Sequence, residues 1–560
     1  MRMIGHKVYW SLLLSIFVVN HLAAADAMIR GVVTDDAGKP VRGALIKAST
    51  PERSFSRFTQ NDGKYEISLP SGNYTVTVDA YGFAAKRQTV NTDQTGRTDF
   101  TVAPKWDITR LLGSEMEGLV TNDAQGNLVK DSCIDCHDLS VVIQRRGTVA
   151  ADWVGFLHEM PRGKRPDLPF SPLKFDALGV ALEKYFGPSA PYFGPDADAP
   201  SREQIKHAPI ADPVLKATIR EWTIHTGASS DRPESFPHSI MVDPLNAQTM
   251  WFSEIGYRAN KIARLDLETD KIIEYPVPTP KSSPHSGIVG KDGRVWMTVA
   301  TPGISAKLLS LDPRTGQVKE YAYPGKRIGA HSLALDKAGN LWISVTGPVN
   351  EVWFFDVSKE QFRSFSYPVP DKYPANSKGS WGEVPGDSEA TRLGLYHVAV
   401  DSRGMIWGGT MQTGMIVRID PATGATKEYQ PANVACIRGI DVDGQDNIWF
   451  GAFFDHKLGM LDSKTGTVKL YQPPTSGATP YGVVVDKRTG YIWISDFSGN
   501  HITRFDPKTE QFIEYPIPSR SAYPRFIDLD QQGRPWFTEY WNGKIGFLDP
   551  GVDSQQKASR

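Results

Sequence analysis

Seven short tryptophan motifs recur along the second half of the chain and restrict its fold more than any other feature. They follow one another at intervals of 42 to 46 residues, with one interval of 65, at Trp251, Trp296, Trp342, Trp407, Trp449, Trp493 and Trp536. Around each tryptophan the sequence predicts four short strands separated by turns. Small sheets of this kind bury their faces only against their neighbours, so seven of them close into a ring. Residues 235–552 are therefore predicted to form a seven-bladed β-propeller, with an insertion at 371–394 on the face where the opening strands begin.

The repeats "NKIARLDLETDKIIEYPVPTP" and "PWFTEYWNGKIGFLD" resemble the streptogramin lyases, also called virginiamycin B lyases, and the resemblance extends over about 315 residues. It implies the propeller fold. It also implies a metal-dependent elimination, in which histidines of the opening strands act with glutamates that bind magnesium. Here His238 and Glu254 reproduce one such pair, but Phe236 stands where that family has an acid. Asp496 and Glu539 occupy the position of Glu254 in later repeats.

Histidine recurs where four of the blades open, in "FPHSIMVD", "SPHSGIVG", "GAHSLALD" and "LYHVAVD". We predict that these four imidazoles converge on the propeller axis: His238, His285, His331 and His397. Imidazoles favour iron, copper, zinc or nickel, so the sequence predicts a four-His site for iron or copper, with magnesium as the alternative. The other three blades open on Arg438, Tyr481 and Arg525, which can hold an anionic or carbonyl-bearing substrate and donate protons. The competing interpretation is that histidine hydrogen-bonds the next blade.

The motif "CIDCH" predicts covalent attachment of a c-type haem. Cys133 and Cys136 would bond the vinyl groups, and His137 would ligate the iron. The surrounding residues, 106–190, have helical periodicity, as in "FDALGVALEKYF". The segment from "DWVGFLHEMPRG" to that helix resembles the end of small cytochrome c domains, which implies Met160 as the sixth ligand; His158 is the alternative.

The first 104 residues contain a leader and a small domain. Basic residues, an apolar run and "HLAAADA" predict a signal peptide at 1–25, and hence a periplasmic or secreted protein. In residues 28–104, apolar and polar residues alternate at period two, and turns that contain glycine separate the alternating stretches. This pattern predicts a small antiparallel β-sandwich. The stretches "GVVTDDAGKPVRGA", "TQNDGKYEI" and "LPSGNYTVTVDAYGF" resemble the carboxypeptidase regulatory-like domains, which implies a structural or adhesive role. Residues 191–234 are predicted to be a linker with a short helical stretch near "VLKATIREWTIH".

Charge and cysteine content limit the partners. The chain has 62 Lys plus Arg against 63 Asp plus Glu, which gives no general attraction to nucleic acid. We expect no stable membrane span. Three cysteines do not make a disulfide scaffold, and Cys436 is expected to be a buried thiol.

Together these features predict a mainly β protein with a small α-helical, cytochrome c-like domain. The first functional hypothesis is an oxidoreductase with a propeller metal, whose electrons pass through the haem to a periplasmic partner. The catalytic residues would be His238, His285, Arg438, Tyr481, Arg525 and Glu254. The alternatives are a metal-dependent lyase that uses Glu254 and His238, and a non-catalytic recognition propeller with a relay haem.

Overall fold

The structure is a computed structural model. It describes residues 27–94, 96–133, 138–159, 172–191, 193, 205, 209–225, 235–255, 259–299, 307–324, 329–346, 350–368, 394–411 and 413–551. The predicted signal peptide, Cys136, His137, Met160 and nearly all of the insertion at 371–394 lie outside these residues.

The N-terminal domain is a sandwich of two small sheets. Its strands are β1 (Ala27–Asp35), β2 (Leu45–Ser49), β3 (Arg53–Phe58), β4 (Lys64–Leu69), β5 (Asn73–Asp79), β6 (Lys86–Asn91) and β7 (Phe100–Val102). One sheet has the order β4-β1-β7, and the other contains β3-β2-β5-β6. Alternate residues such as Ile29, Val33, Val76 and Val78 fill the space between them. The predicted sandwich is confirmed, but β7 pairs with β1 in parallel, so the sandwich is not wholly antiparallel.

A helical segment follows the sandwich. Its helices are α1 (Gly113–Leu119), α2 (Ala124–Cys133), α3 (Leu139–Val142), α4 (Ala150–Glu159) and α5 (Pro172–Phe186). Short 3-10 helices lie at Ile108–Arg110, Ile143–Arg145 and Asp212–Lys216. The helices surround a core that includes Met116, Val129, Trp153, Leu182 and Phe186. The helical character of this region is confirmed, and α5 contains the stretch in which periodicity predicted a helix.

In the described part of the chain, 28 strands form seven four-stranded blades around an axis. Blades one to three are β9 (Phe236–Val242), β10 (Thr249–Ile255), β11 (Lys261–Asp266) and β12 (Lys271–Pro276); β13 (Pro284–Val289), β14 (Val295–Val299), β15 (Lys307–Asp312) and β16 (Gln317–Ala322); β17 (Ala330–Leu335), β18 (Leu341–Val345), β19 (Glu351–Asp356) and β20 (Gln361–Ser366).

Blades four to six are β21 (Leu395–Val400), β22 (Ile406–Thr410), β23 (Ile416–Ile419) and β24 (Thr426–Tyr429); β25 (Ile437–Val442), β26 (Ile448–Ala452), β27 (Lys457–Leu461) and β28 (Val468–Tyr471); β29 (Pro480–Val485), β30 (Ile492–Asp496), β31 (His501–Asp506) and β32 (Gln511–Pro516). Blade seven contains β33 (Pro524–Leu529), β34 (Pro535–Glu539), β35 (Lys544–Asp549) and β8 (Thr218–Thr223). The seven opening strands contact one another in sequence, and β33 meets β9 to close the ring. The predicted propeller is confirmed.

The repeated tryptophan has a structural purpose. Trp251, on the second strand of blade one, is buried and donates its indole N–H to Asp243 at the end of the opening strand, at 3.0 Å. Trp407 makes the same bond to Asp401 at 3.0 Å. The tryptophan thereby fixes the first two strands of its blade and fills the space against the next blade.

Strand β8 precedes the repeats in the chain and supplies the fourth strand of blade seven. It pairs antiparallel with β35 on one edge and with β3 of the sandwich on the other. Blade seven and half of the sandwich are therefore one eight-stranded sheet. The prediction of a helical stretch here is right only for the 3-10 helix at Asp212–Lys216; Thr218–Thr223 is a strand because it completes a sheet on both of its edges.

No helix among the described residues is long and apolar enough to cross a membrane.

Candidate metal centre

The opening strand of each blade carries a bulge near its start, and the bulge places one residue toward the axis. In blade one, Pro237 pairs with Glu254, which lies three residues after the blade's tryptophan, and the register then shifts. The residue just after this pairing is His238. The same rule selects one residue in every blade: His238, His285, His331, Tyr396, Arg438, Tyr481 and Arg525.

Tyr396, and not His397, is thus the fourth member of this set. Hydroxyl groups of the preceding blades identify the position independently. Ser253 donates to the backbone carbonyl of His285 at 2.8 Å, and Ser344 donates in the same way to Tyr396 at 2.9 Å. The prediction that His397 is equivalent to the other three histidines is wrong. His238 lies five residues before Asp243, which directly follows its strand, and Tyr396 lies five residues before Asp401. His397 lies only four residues before Asp401.

The remaining three histidines converge. His238, His285 and His331 each offer one ring nitrogen, and these three nitrogens lie within 4.8 Å of one another. The ring centroids of His238 and His285 are 3.7 Å apart, and those of His285 and His331 are 4.3 Å apart. An ion at the centre of these three nitrogens would lie within about 2.8 Å of each of them, because no two are more than 4.8 Å apart. Movement of each imidazole by under about 1 Å toward the ion would then give metal–nitrogen bonds of about 2.1 Å.

The three imidazoles are held in the form that binds metals. His238 and His331 are buried, and His285 is partly buried. Burial, followed by the charges of neighbouring groups, lowers the pKa of His238 and His331 well below the ordinary value and that of His285 to about 3. Among the described residues, both ring nitrogens of His238 and Nδ1 of His331 have no hydrogen-bond partner. Buried unpaired nitrogens are costly, and a bound metal would satisfy them.

His397 lies next to this cluster. Its ring stacks on Tyr396, and its centroid is 5.5 Å from that of His331. The ring of Phe526 contacts both His397 and His238, at centroid distances of 4.9 and 5.0 Å. His397 and Phe526 also line a cavity of about 560 Å³ along the opening strands. Its role as a fourth ligand stays a prediction.

The opposite side of the bore holds arginine and tyrosine, as predicted. Arg438 donates to the Tyr396 hydroxyl at 3.1 Å, and the hydroxyls of Tyr396 and Tyr481 are hydrogen-bonded to each other. The guanidinium of Arg525 lies 3.8 Å from the centre of the Tyr540 ring. Burial raises the pKa of Tyr396 well above its ordinary value, so the phenol stays protonated at neutral pH. Sequence reasoning missed Tyr396, Tyr540 and Phe526, although counting back from Asp401 would have identified the first.

Glu254 does not join the histidines. Its backbone pairs with Pro237, but the charges that act on its carboxyl belong to Glu274 and Lys261 in the same blade. Burial is the largest cause that raises the pKa of Glu254, to about 7. In the described part of the chain, no set of three mutually close ligands includes Glu254. The structure therefore does not assemble the His238–Glu254 pair that the resemblance to the lyases implies.

A second cavity, of about 790 Å³, lies between the helical segment and the propeller. Its walls include Cys133 at the end of α2, Trp153 and Leu157 of α4, and Leu178 and Leu182 of α5. The propeller contributes Phe236 and Trp541. Of the three residues of the predicted haem motif, the structure describes Cys133. This cysteine lines the large and mainly apolar cavity.

Polar contacts hold the helical segment on the propeller beside this cavity. Asp138, which directly follows the haem motif, accepts a hydrogen bond from the Tyr523 hydroxyl at 2.9 Å. The hydroxyls of Ser140 and Ser521 are 2.7 Å apart. Aromatic rings lie between the cavity and the histidines. The ring centroid of Phe236 is 5.3 Å from that of Tyr540, and the centroid of Tyr540 is 6.1 Å from that of His238.

Comparison with known proteins agrees with this architecture at both ends of the chain. Residues 387–556 match the Virginiamycin B lyase family, and residues 28–103 match the Carboxypeptidase regulatory-like domain. The propeller is virginiamycin B lyase-like. A streptogramin B lyase structure is 24% identical with a TM-score of 0.50, over 60% of this chain and 99% of that chain. Virginiamycin B lyase from Staphylococcus aureus is 23% identical with a TM-score of 0.48, over 59% of this chain and 99% of that chain. Identities this low show the fold alone.

The N-terminal domain has a curated relative. Carboxypeptidase Z of Gallus gallus is 32% identical over 91 residues, which are 16% of this chain and 14% of the relative. The chain therefore spans a small part of that protein's length, and the likeness concerns the sandwich only.

Proposed function

We propose that this chain is an exported, haem c-containing oxidoreductase that binds iron or copper between His238, His285 and His331. The observation that carries the proposal is the convergence of three neutral imidazoles, two buried and one partly buried, each with one ligand nitrogen within 4.8 Å of those of the other two. When bound, iron or copper would supply one-electron chemistry at the bore.

The haem is proposed for the cavity beside Cys133. Cys133 would form one thioether bond, and Cys136, His137 and Met160 would complete the attachment and ligation that the sequence predicts. The cavity volume of about 790 Å³ lies within the usual range for cofactor sites of roughly 300 to 1,000 Å³. Trp153, Leu157, Leu178 and Leu182 supply the apolar walls that a porphyrin requires.

The residues of the bore would perform distinct tasks. Arg438 and Arg525 bring two positive charges to the bore, where they act on His397 and His285 and favour an anionic or carbonyl-bearing substrate. The hydrogen-bonded hydroxyls of Tyr396 and Tyr481 provide a proton donor. The rings of Phe236 and Tyr540 lie between the two proposed cofactor sites and would divide the electron-transfer distance into shorter steps.

A lyase reaction is the second candidate, supported by the match of residues 387–556 to the Virginiamycin B lyase family. The oxidoreductase is favoured because Glu254 belongs to a charge cluster with Lys261 and Glu274 and not to the histidines. In addition, an elimination needs no electron carrier, so the haem motif would have no purpose in it.

The test is a metal and haem analysis of the exported protein, together with a His285→Ala, His331→Ala double variant. We expect one covalent haem and about one iron or copper ion outside the haem in each chain, and loss of the second ion alone in the double variant. His456→Ala is the matched control, because this propeller histidine hydrogen-bonds the Ala478 carbonyl away from the axis.

Other results would overturn the proposal. Magnesium alone, with turnover of a cyclic depsipeptide, would establish the lyase. Covalent haem without any metal in the bore would leave a recognition propeller with a relay haem.

A further inference from the structure

Three blades carry the same arrangement of ionisable residues away from the axis. A carboxylate lies three residues after the tryptophan, it pairs across the sheet with the first residue of the third strand, and a second carboxylate lies on the fourth strand. The sets are Glu254, Lys261 and Glu274 in blade one; Asp496, His501 and Glu514 in blade six; and Glu539, Lys544 and Glu221 in blade seven. Blade six differs because histidine replaces lysine between the carboxylates.

In blade one the lysine occupies the space between the two acids, and its ammonium lies 2.5 Å from Glu274. In blade six no lysine among the described residues of the blade fills that space, because His501 stands in the position of Lys261. His501 Nδ1 and Asp496 Oδ2 are 3.9 Å apart, which is too far for a hydrogen bond. Neither atom has a hydrogen-bond partner among the described residues, although His501 is only 7% exposed and Asp496 only 2%.

Other groups hold both carboxylates in place. Asp496 Oδ1 accepts hydrogen bonds from the backbone N–H groups of Thr479 and Gly499, at 2.7 and 3.0 Å, which leaves Oδ2 for a ligand. The oxygens of Glu514 accept from the backbone N–H and the hydroxyl of Thr475, at 3.0 and 2.6 Å. Supporting bonds of this kind orient the ligands of metal sites.

The site also has access. His501, Glu514 and Thr475 line a cavity of about 420 Å³ between the sandwich, the helical segment and the propeller. We propose that Asp496, His501 and Glu514 bind a divalent cation of the zinc class. Their ligand atoms all lie within 4.8 Å of one another, and one imidazole with two carboxylates is a donor set that zinc accepts. Three protein ligands beside a cavity leave a coordination position open for water or a small ligand, as in catalytic rather than structural zinc sites. This site shares no ligand with the bore.

The test uses the full chain with His285→Ala and His331→Ala, so that the bore contributes no binding, and zinc alone is titrated calorimetrically. We expect one zinc ion per chain in this background. Adding His501→Lys should abolish binding and leave the thermal unfolding and the haem content unchanged, because lysine restores the arrangement of blades one and seven.

Asp496→Asn tests the site independently of the lysine substitution. It keeps the size of the side chain and should weaken zinc binding by more than about tenfold. Absence of zinc binding in the background chain would overturn the proposal, and so would equal affinity in the presence of Asp496→Asn or His501→Lys. Because two of the three proposed bore ligands are already removed, these outcomes do not depend on the proposed oxidoreductase function.

Discussion

Glu221 joins the sandwich to the propeller, and its replacement by glutamine should destabilise both. It lies on β8 with 1% of its surface exposed. Its carboxylate is 2.6 Å from the Lys47 ammonium and accepts hydrogen bonds from the Ser54 hydroxyl at 2.6 Å and the Ser519 backbone N–H at 3.0 Å. Lys544 adds a further positive charge. Glu221→Gln therefore keeps the shape of the side chain and removes the carboxylate that pairs with Lys47, while the Glu539 carboxyl remains beside Lys544.

We expect the free energy of unfolding to fall by about 3 kcal/mol, the lower end for a broken buried ion pair, because Lys47 remains 20% exposed. Urea unfolding followed by tryptophan fluorescence measures this change, since the neighbouring Trp222 stacks on Trp536. The matched control is Glu66→Gln, which removes the exposed Arg30–Glu66 pair and should leave the free energy of unfolding nearly unchanged.

The effect should depend on pH in one direction. Burial alone would raise the pKa of Glu221, but Lys47 and Lys544 lower it below its ordinary value. The stabilisation is then fully present above the unfolded pKa of about 4.3 and is lost as the pH falls below it. A difference between wild type and Glu221→Gln below 1 kcal/mol at pH 7, or one that persists unchanged at pH 3, would refute the reasoning.

Three further predictions concern the propeller. Tyr396→Phe removes the hydroxyl that accepts from Arg438 and should lower the free energy of unfolding by about 1–3 kcal/mol while the metal content of the bore stays unchanged. Gly439→Ala would place a Cβ 2.5 Å from the Val483 backbone nitrogen on the next blade, so urea denaturation should show a loss of about 1–3 kcal/mol; normal stability would contradict the packing of the inner strands. Burial raises the pKa of Glu254 to about 7, so its ionisation destabilises the fold as the pH rises from 5 to 8. Glu254→Gln should therefore gain about 1–3 kcal/mol relative to wild type over that range, and a constant difference would show that the carboxyl is not desolvated.

The repeats made the propeller predictable because each blade carries the same tryptophan, which in blades one, four and five donates to the aspartate at the end of the opening strand. The fourth strand of blade seven, β8, was not predictable in this way. Thr218–Thr223 carries no repeat motif, and it is a strand only because β35 and β3 pair with its two edges. Its partner β35 begins at Lys544, more than three hundred residues later in the chain.

The candidate site was predictable in part. Three of the four histidines converge as expected, because the bulge repeats in every blade. His397 was misplaced because it lies four residues before the aspartate at the end of its strand, whereas the axis position of every blade lies five residues before the corresponding residue, a difference that is visible in the sequence. The cluster of Asp496, His501 and Glu514 is formed by three neighbouring strands whose pairing only the folded sheet reveals.

The most direct test of the metal centre is a crystal structure with anomalous data recorded at the iron, copper and zinc edges. Our account predicts an iron or copper peak within about 2.3 Å of the nitrogens of His238, His285 and His331, separate from any zinc peak beside His501. A bore in which the three imidazoles bond only to protein or water, with no anomalous peak between them, would contradict it.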